Sequence, residues 1–137
     1  MRVLFLDFDG VLHAGPGVVT QTSHWCWLPV LHEALQAHGD VRIVVHSTWR
    51  FQYDLDELRE LLGALGPRVI GATVGPGRLE GIELWLSEHP DVGDFRVLDD
   101  ELEPFHSLSQ QLIACDPALG MSDPQALRRL RAWLVSG

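Results

Sequence analysis

Asp7 and Asp9 stand one aromatic apart at the end of an apolar run, Val3-Leu4-Phe5-Leu6-Asp7-Phe8-Asp9-Gly10. A buried, unpaired carboxylate is costly, and two neighbouring carboxylates raise each other's pKa. A cation at this point would remove both penalties. Two further apolar runs end in polar groups. Val41-Arg42-Ile43-Val44-Val45-His46 leads into Ser47-Thr48, with Trp49-Arg50 following, and Phe95-Arg96-Val97-Leu98 leads into Asp99-Asp100-Glu101. Taken alone, Asp-Phe-Asp-Gly is equally compatible with a polar turn. Three such ends argue for one site, because parallel strands bring their ends to a shared edge, where ligands bind in open α/β sheets.

The elements that must position these groups alternate along the chain. Residues 2–8 read as a buried strand. A loop over 13–24 and a helix over 27–38, with Leu28, Leu31 and Leu35 on one face, lead to a second strand over 41–46. Asp54 and Glu57 have the spacing of a capping box. They open a helix whose stripe of Leu55, Leu58, Leu62 and Leu65 runs to Gly66-Pro67. A short strand is expected over 68–74, and a helix over 78–89 with Leu79, Ile82, Trp85 and Leu86 inward. Strand four covers 95–98 and a fifth covers 111–115. Ser122 or Asp123 as N-cap, with Pro124 at the first helical position, opens a last helix, striped by Leu127, Leu130 and Leu134. This order predicts a single α/β domain over residues 1–137, a three-layer sandwich whose central parallel sheet carries helices on both faces. The Leu and Trp stripes need only a core reading.

The ordered set of motifs resembles the haloacid dehalogenase (HAD) superfamily of phosphohydrolases. It is most similar to the small HAD domains without a cap that also occur in Swiss army knife RNA-repair proteins. The matching residues are Leu6-Asp7-Phe8-Asp9-Gly10-Val11-Leu12, Val44-Val45-His46-Ser47-Thr48-Trp49-Arg50, Gly77-Arg78 before Ile82 and Trp85-Leu86, and Val97-Leu98-Asp99-Asp100-Glu101. The resemblance implies a HAD-like Rossmannoid fold of about five parallel strands and a Mg2+-dependent phosphatase. Asp7 would be the nucleophile, giving an aspartyl-phosphate. Asp9 would be the acid and then the base. Ser47, with Thr48 as fallback, would bind the phosphate. Mg2+ would be held by Asp7, the Asp9 carbonyl and Asp100, with Asp99 behind or through water. The family's lysine has no counterpart, since all ten positive residues are Arg. Arg78 stands where the pattern expects the cation, and Arg50 competes for the role. Arg50 could instead pin its loop or contact substrate.

The span between strands one and two is short for a cap, so the site is expected to be open. Within the superfamily an open site often goes with large substrates, so the expected partner is a phosphorylated substrate, macromolecules included. Trp25 could line the entrance and stack on a ring, or serve as core. A formal charge of −9 argues against a protein that grips nucleic acid by its backbone, although contact with a phosphorylated end stays open. Two alternatives are therefore a polynucleotide-end phosphatase and a non-catalytic module that binds a phospho-ligand or metal. No apolar run reaches membrane-spanning length, and the N-terminus lacks the features of a signal peptide. The expected location is cytoplasmic. Cys26 and Cys115 form no CxxC and read as free thiols.

Overall fold

The computed structural model describes residues 1–137. Five strands form one parallel sheet: β1 (Arg2–Leu6), β2 (Val41–Val45), β3 (Val69–Ala72), β4 (Asp94–Asp99) and β5 (Leu112–Ala114). Four helices accompany them: α1 (Leu28–Leu35), α2 (Leu55–Leu61), α3 (Arg78–Glu88) and α4 (Pro124–Ser136). The sheet order is β3-β2-β1-β4-β5. The chain moves outward from β1 through β2 to β3, then crosses back to β4 on the other side. Crossovers between parallel strands are right-handed, so reversing direction places the crossing helix on the opposite face. Accordingly α1, α2 and α4 pack with Leu4, Leu6, Ile43 and Val45 in the larger core cluster. Helix α3 and the 3-10 segment Glu103–Leu108 pack with Val3, Phe5, Val44 and Val97 on the other face. Strand β1 lies at the reversal, the point where open α/β sheets bind ligands.

This is the expected α/β sandwich, with helices on both faces and no cap domain between β1 and β2. Element ends differ from the sequence reading. The first helix occupies only Leu28–Leu35, within the expected 27–38. The second does not continue to Gly66-Pro67. It stops at Leu61, and Gly63–Arg68 finishes as a 3-10 helix, with Gly63 at φ +53°. Glycine supplies that positive φ without strain. The Asp54–Glu57 capping box is made on both sides. Leu79 is only half-buried, whereas Ile82 is fully buried. Cys26 and Cys115 are unpaired. No helix is long and apolar enough to cross a membrane.

Candidate active site

Strand register brings Asp7 and Asp99 together. Leu6 pairs with Val45 on one side and with Leu98 on the other. The ladder then runs one step further: Asp7 N–H donates to Leu98 O (3.1 Å) and His46 N–H donates to Leu6 O (2.8 Å). Asp7, His46 and Asp99 therefore stand side by side at the sheet edge. Side chains alternate along a strand, so these three share the face of Val3, Phe5, Val44 and Val97. That is the face carrying α3, and Arg78 is its first residue.

Arg78 Nη2 consequently bonds Asp99 Oδ2 and lies 3.6 Å from Asp7 Oδ2. The other oxygen of each acid accepts a backbone N–H: Phe8 N to Asp7 Oδ1 (2.8 Å) and Glu101 N to Asp99 Oδ1 (2.9 Å). Asp100 is half-buried and stands against Gly10. Gly10 has φ +77°, and a Cβ there would overlap the Asp100 carboxylate. A glycine is needed here both for the turn and for the close approach.

Asp7, Asp99 and Asp100 bring carboxylate oxygens within 4.8 Å of one another. Burial, and secondly Asp99, drive Asp7 well above its ordinary carboxylate range, against the pull of Arg78. Burial likewise pushes Asp99 up to about 7, with Arg78 opposing. One arginine thus does not balance the charge gathered here. The donor set is hard oxygen from few carboxylates, which fits Mg2+.

Asp9 faces another way. Its Oδ1 lies 2.7 Å from His13 Nε2, and Trp49 Nε1 reaches both of its oxygens at 3.3 Å. His13 Nδ1 accepts the Trp25 backbone N–H at 3.4 Å. That leaves Nε2 as the protonated nitrogen of the neutral ring, donating to Asp9. Trp25 adopts φ +65°, a conformation rare for a bulky residue. Its ring packs edge-on against Phe8 and Trp49, with centroids 5.3 and 5.1 Å away. Trp25 therefore supports the Asp9 side of the site as part of an aromatic cluster.

Ser47 is buried and its Oγ accepts Trp49 N–H at 3.3 Å, while Thr48 is exposed. Neither hydroxyl bonds a carboxylate. Arg50 is tied to backbone, donating to Ser47 O (2.7 Å) and Gly75 O (2.9 Å). It joins the loops after β2 and β3, and Arg78 is the arginine that meets the acids.

Three residues of the site carried no role in the sequence reading. His13 sits four residues after Asp9, a spacing that is informative only once the turn is known. Trp49 reaches Asp9 from 40 positions away. His46 is buried, its Nδ1 paired with Thr73 Oγ1. Burial, then Arg50 and Arg78, hold its pKa down to about 3, so it is a neutral structural imidazole. Its position immediately before Ser47 was the available signal.

A buried acid thus stands at the switch point of a parallel sheet, flanked by two more acids and an arginine. The chain belongs to the family described as the HAD domain in Swiss Army Knife RNA repair proteins, whose model matches residues 3–126. No curated protein and no solved structure matches it significantly. Membership supports a phosphohydrolase-like or related function.

Proposed function

We propose that the protein is a Mg2+-dependent phosphomonoesterase working through an aspartyl-phosphate. The observation that carries this reading is the placement of Asp7. It is buried at the switch point beside Arg78 and two further acids, with Asp9 two residues on and separately held. Asp7, Asp100 and the Asp9 carbonyl would hold the ion, with Asp99 supporting them. Bound Mg2+ would offset the charge on the nucleophile and the phosphoryl oxygens.

The Asp7 carboxylate attacks phosphorus and forms an Oδ–P bond. The ester P–O bond breaks, and its electron pair leaves with the alcohol oxygen, which takes a proton from Asp9. His13 holds Asp9 Oδ1 at 2.7 Å and Trp49 Nε1 reaches both oxygens at 3.3 Å, so Oδ2 is the less tightly held of the two. Asp9 then takes a proton from water, the water oxygen bonds phosphorus, and the Asp7–P bond breaks to release phosphate. Arg78 orients Asp7 and meets the charge that spreads over the phosphoryl oxygens. The Ser47 hydroxyl, buried just beyond β2, would bind a phosphoryl oxygen.

Phosphate release from an aryl phosphate, with and without Mg2+, tests the reading. Release that needs the ion and vanishes in Asp7→Asn is expected; undiminished release from that variant would sink the mechanism. The RNA-repair description of the matching family favours a second reading, in which the ester is a polynucleotide end.

A further inference from the structure

The loop that delivers Arg78 is thinly held. It runs from the end of β3 over Val74, Gly75, Pro76 and Gly77, and the first three of these are exposed. Glycine adds backbone freedom, and Gly75 takes φ +80°. Gly77 is the N-cap of α3 and makes no side-chain cap. Within the protein, residues 74–76 make one hydrogen bond: Arg50 Nη2 donates to Gly75 O at 2.9 Å. Resting on the phosphatase reading, we propose that Arg50 is a positioning residue, which ties this loop to Ser47 and so aims Arg78 at the phosphoryl group.

The guanidinium spans the two loops. Nη1 donates to Ser47 O at 2.7 Å while Nη2 holds Gly75 O, and Cζ lies over the Phe51 ring, 4.3 Å from its centroid. The remaining nitrogen, Nε, is shut away from solvent. Arg50 thus directs its donors to main chain. A planar fork can bond two carbonyls at once, whereas a lysine ammonium is a point charge on a flexible stem.

The two tethered points explain why this matters. Ser47 carries the hydroxyl proposed to bind a phosphoryl oxygen, and Arg78 follows Gly75 by three residues. Arg50 therefore sets the span between two groups that would meet the same phosphate, through bonds to main chain. Helix α3 is fixed independently from Gly81 onward. A Cβ at Gly81 would come within 3.2 Å of His46 Cε1 and 3.3 Å of Thr73 Cβ, so the helix lies close against both. What is left to Arg50 is the loop and the first turn, where Arg78 stands.

The test measures the KM of an aryl phosphate and the inhibition constant of inorganic phosphate, with Mg2+ present. Arg50→Ala should raise both by about tenfold. Arg50→Lys keeps the charge without the fork and should recover only part of that loss; full recovery would show that charge alone matters and overturns the proposal. In an Arg78→Ala background, Arg50→Ala should change either constant by less than about twofold. A further tenfold loss there would mean that Arg50 acts on phosphate by itself, which also overturns it. Backbone 15N relaxation gives an answer independent of turnover and of a stable Arg78 variant. In Arg50→Ala, order parameters at Gly75 and Gly77 should fall toward about 0.6, with those of β1 and β2 staying near about 0.85. Unaltered values in the loop, or a fall throughout the chain, overturn the proposal. If the wild-type protein releases no phosphate, the phosphatase reading fails, and relaxation alone decides whether Arg50 holds the loop.

Discussion

Arg78 stands between two carboxylates that burial drives toward neutrality, and it meets both through one nitrogen. Replacing it with alanine leaves buried acids without their cation. We expect phosphate release to fall about 100-fold and the metal-free protein to lose about 3 kcal/mol in urea denaturation near neutral pH. Arg78→Lys should recover part of both; an unchanged rate in the alanine variant would remove Arg78 from the mechanism. A metal held beside Asp99 would bind in a pH-dependent way. The Asp99 pKa rises from 3.8 to about 7, so below about pH 7 the metal-free protein carries a proton that the ion must displace. Mg2+ affinity should fall as pH drops below 7, by up to about tenfold per unit for each proton released. Between 3.8 and 7 the folded state holds the extra proton, so this group adds stability as pH falls. His46 has the opposite sign. Its folded pKa is lowered from 6.5 to about 3, so its contribution is lost as pH falls through that window. The thermal shift caused by Mg2+ should shrink between about pH 8 and 5.5; a shift that grows would contradict the assignment. The paired acids and their strand were legible because buried runs seldom end in two carboxylates. The choice between Arg78 and Arg50 was not legible, because it depends on which sheet face each loop reaches.

At the level of elements, the turn after β1 does two jobs at Gly10. It reverses the chain at φ +77°, and it leaves room for Asp100 arriving from β4. Gly10→Ala should displace Asp100. Calorimetry should then show Mg2+ binding weakened by about tenfold or more, with about 1–3 kcal/mol lost from stability. Unchanged metal affinity would show that Asp100 is no ligand. Strand–helix alternation was readable because apolar periods and caps are local: the Asp54–Glu57 box is made between neighbours in sequence. The end of α2 was not readable, because its leucine stripe continues through Gly63–Arg68 with the pitch changed. Arginines brace these junctions. Arg68 donates to Leu35 O (2.6 Å) and His38 O (2.7 Å), and Arg59 to Val69 O (3.0 Å). These bonds span the gaps that lead into β2 and β3. The wiring of Asp9 by His13 and Trp49 was hidden because it joins two loops that meet only in the folded chain.

Across the whole molecule, a net charge of −9 surrounds the site proposed to receive a phosphate ester. Long polyanions are repelled during approach, and salt screens that repulsion. For an oligonucleotide end, kcat/KM should therefore rise as salt is added from low ionic strength. Proteins that grip nucleic acid through basic surfaces show a fall instead. A steep fall here would point to a basic docking path on the protein. The fold accounts for the site as one unit: β1 at the switch point presents Asp7, α3 crosses back to deliver Arg78, and β4 brings Asp99 and Asp100. On the proposed mechanism this assembly transfers a phosphoryl group to Asp7. Rapid acid quenching of the Mg2+-loaded protein during turnover, followed by peptide mass spectrometry, tests it most directly. A phosphoryl group on Asp7, lost on base treatment and absent in Asp7→Asn, is the expected result. Steady turnover with no phosphoryl group on Asp7 at any quench time, or with the group on another residue, would contradict it.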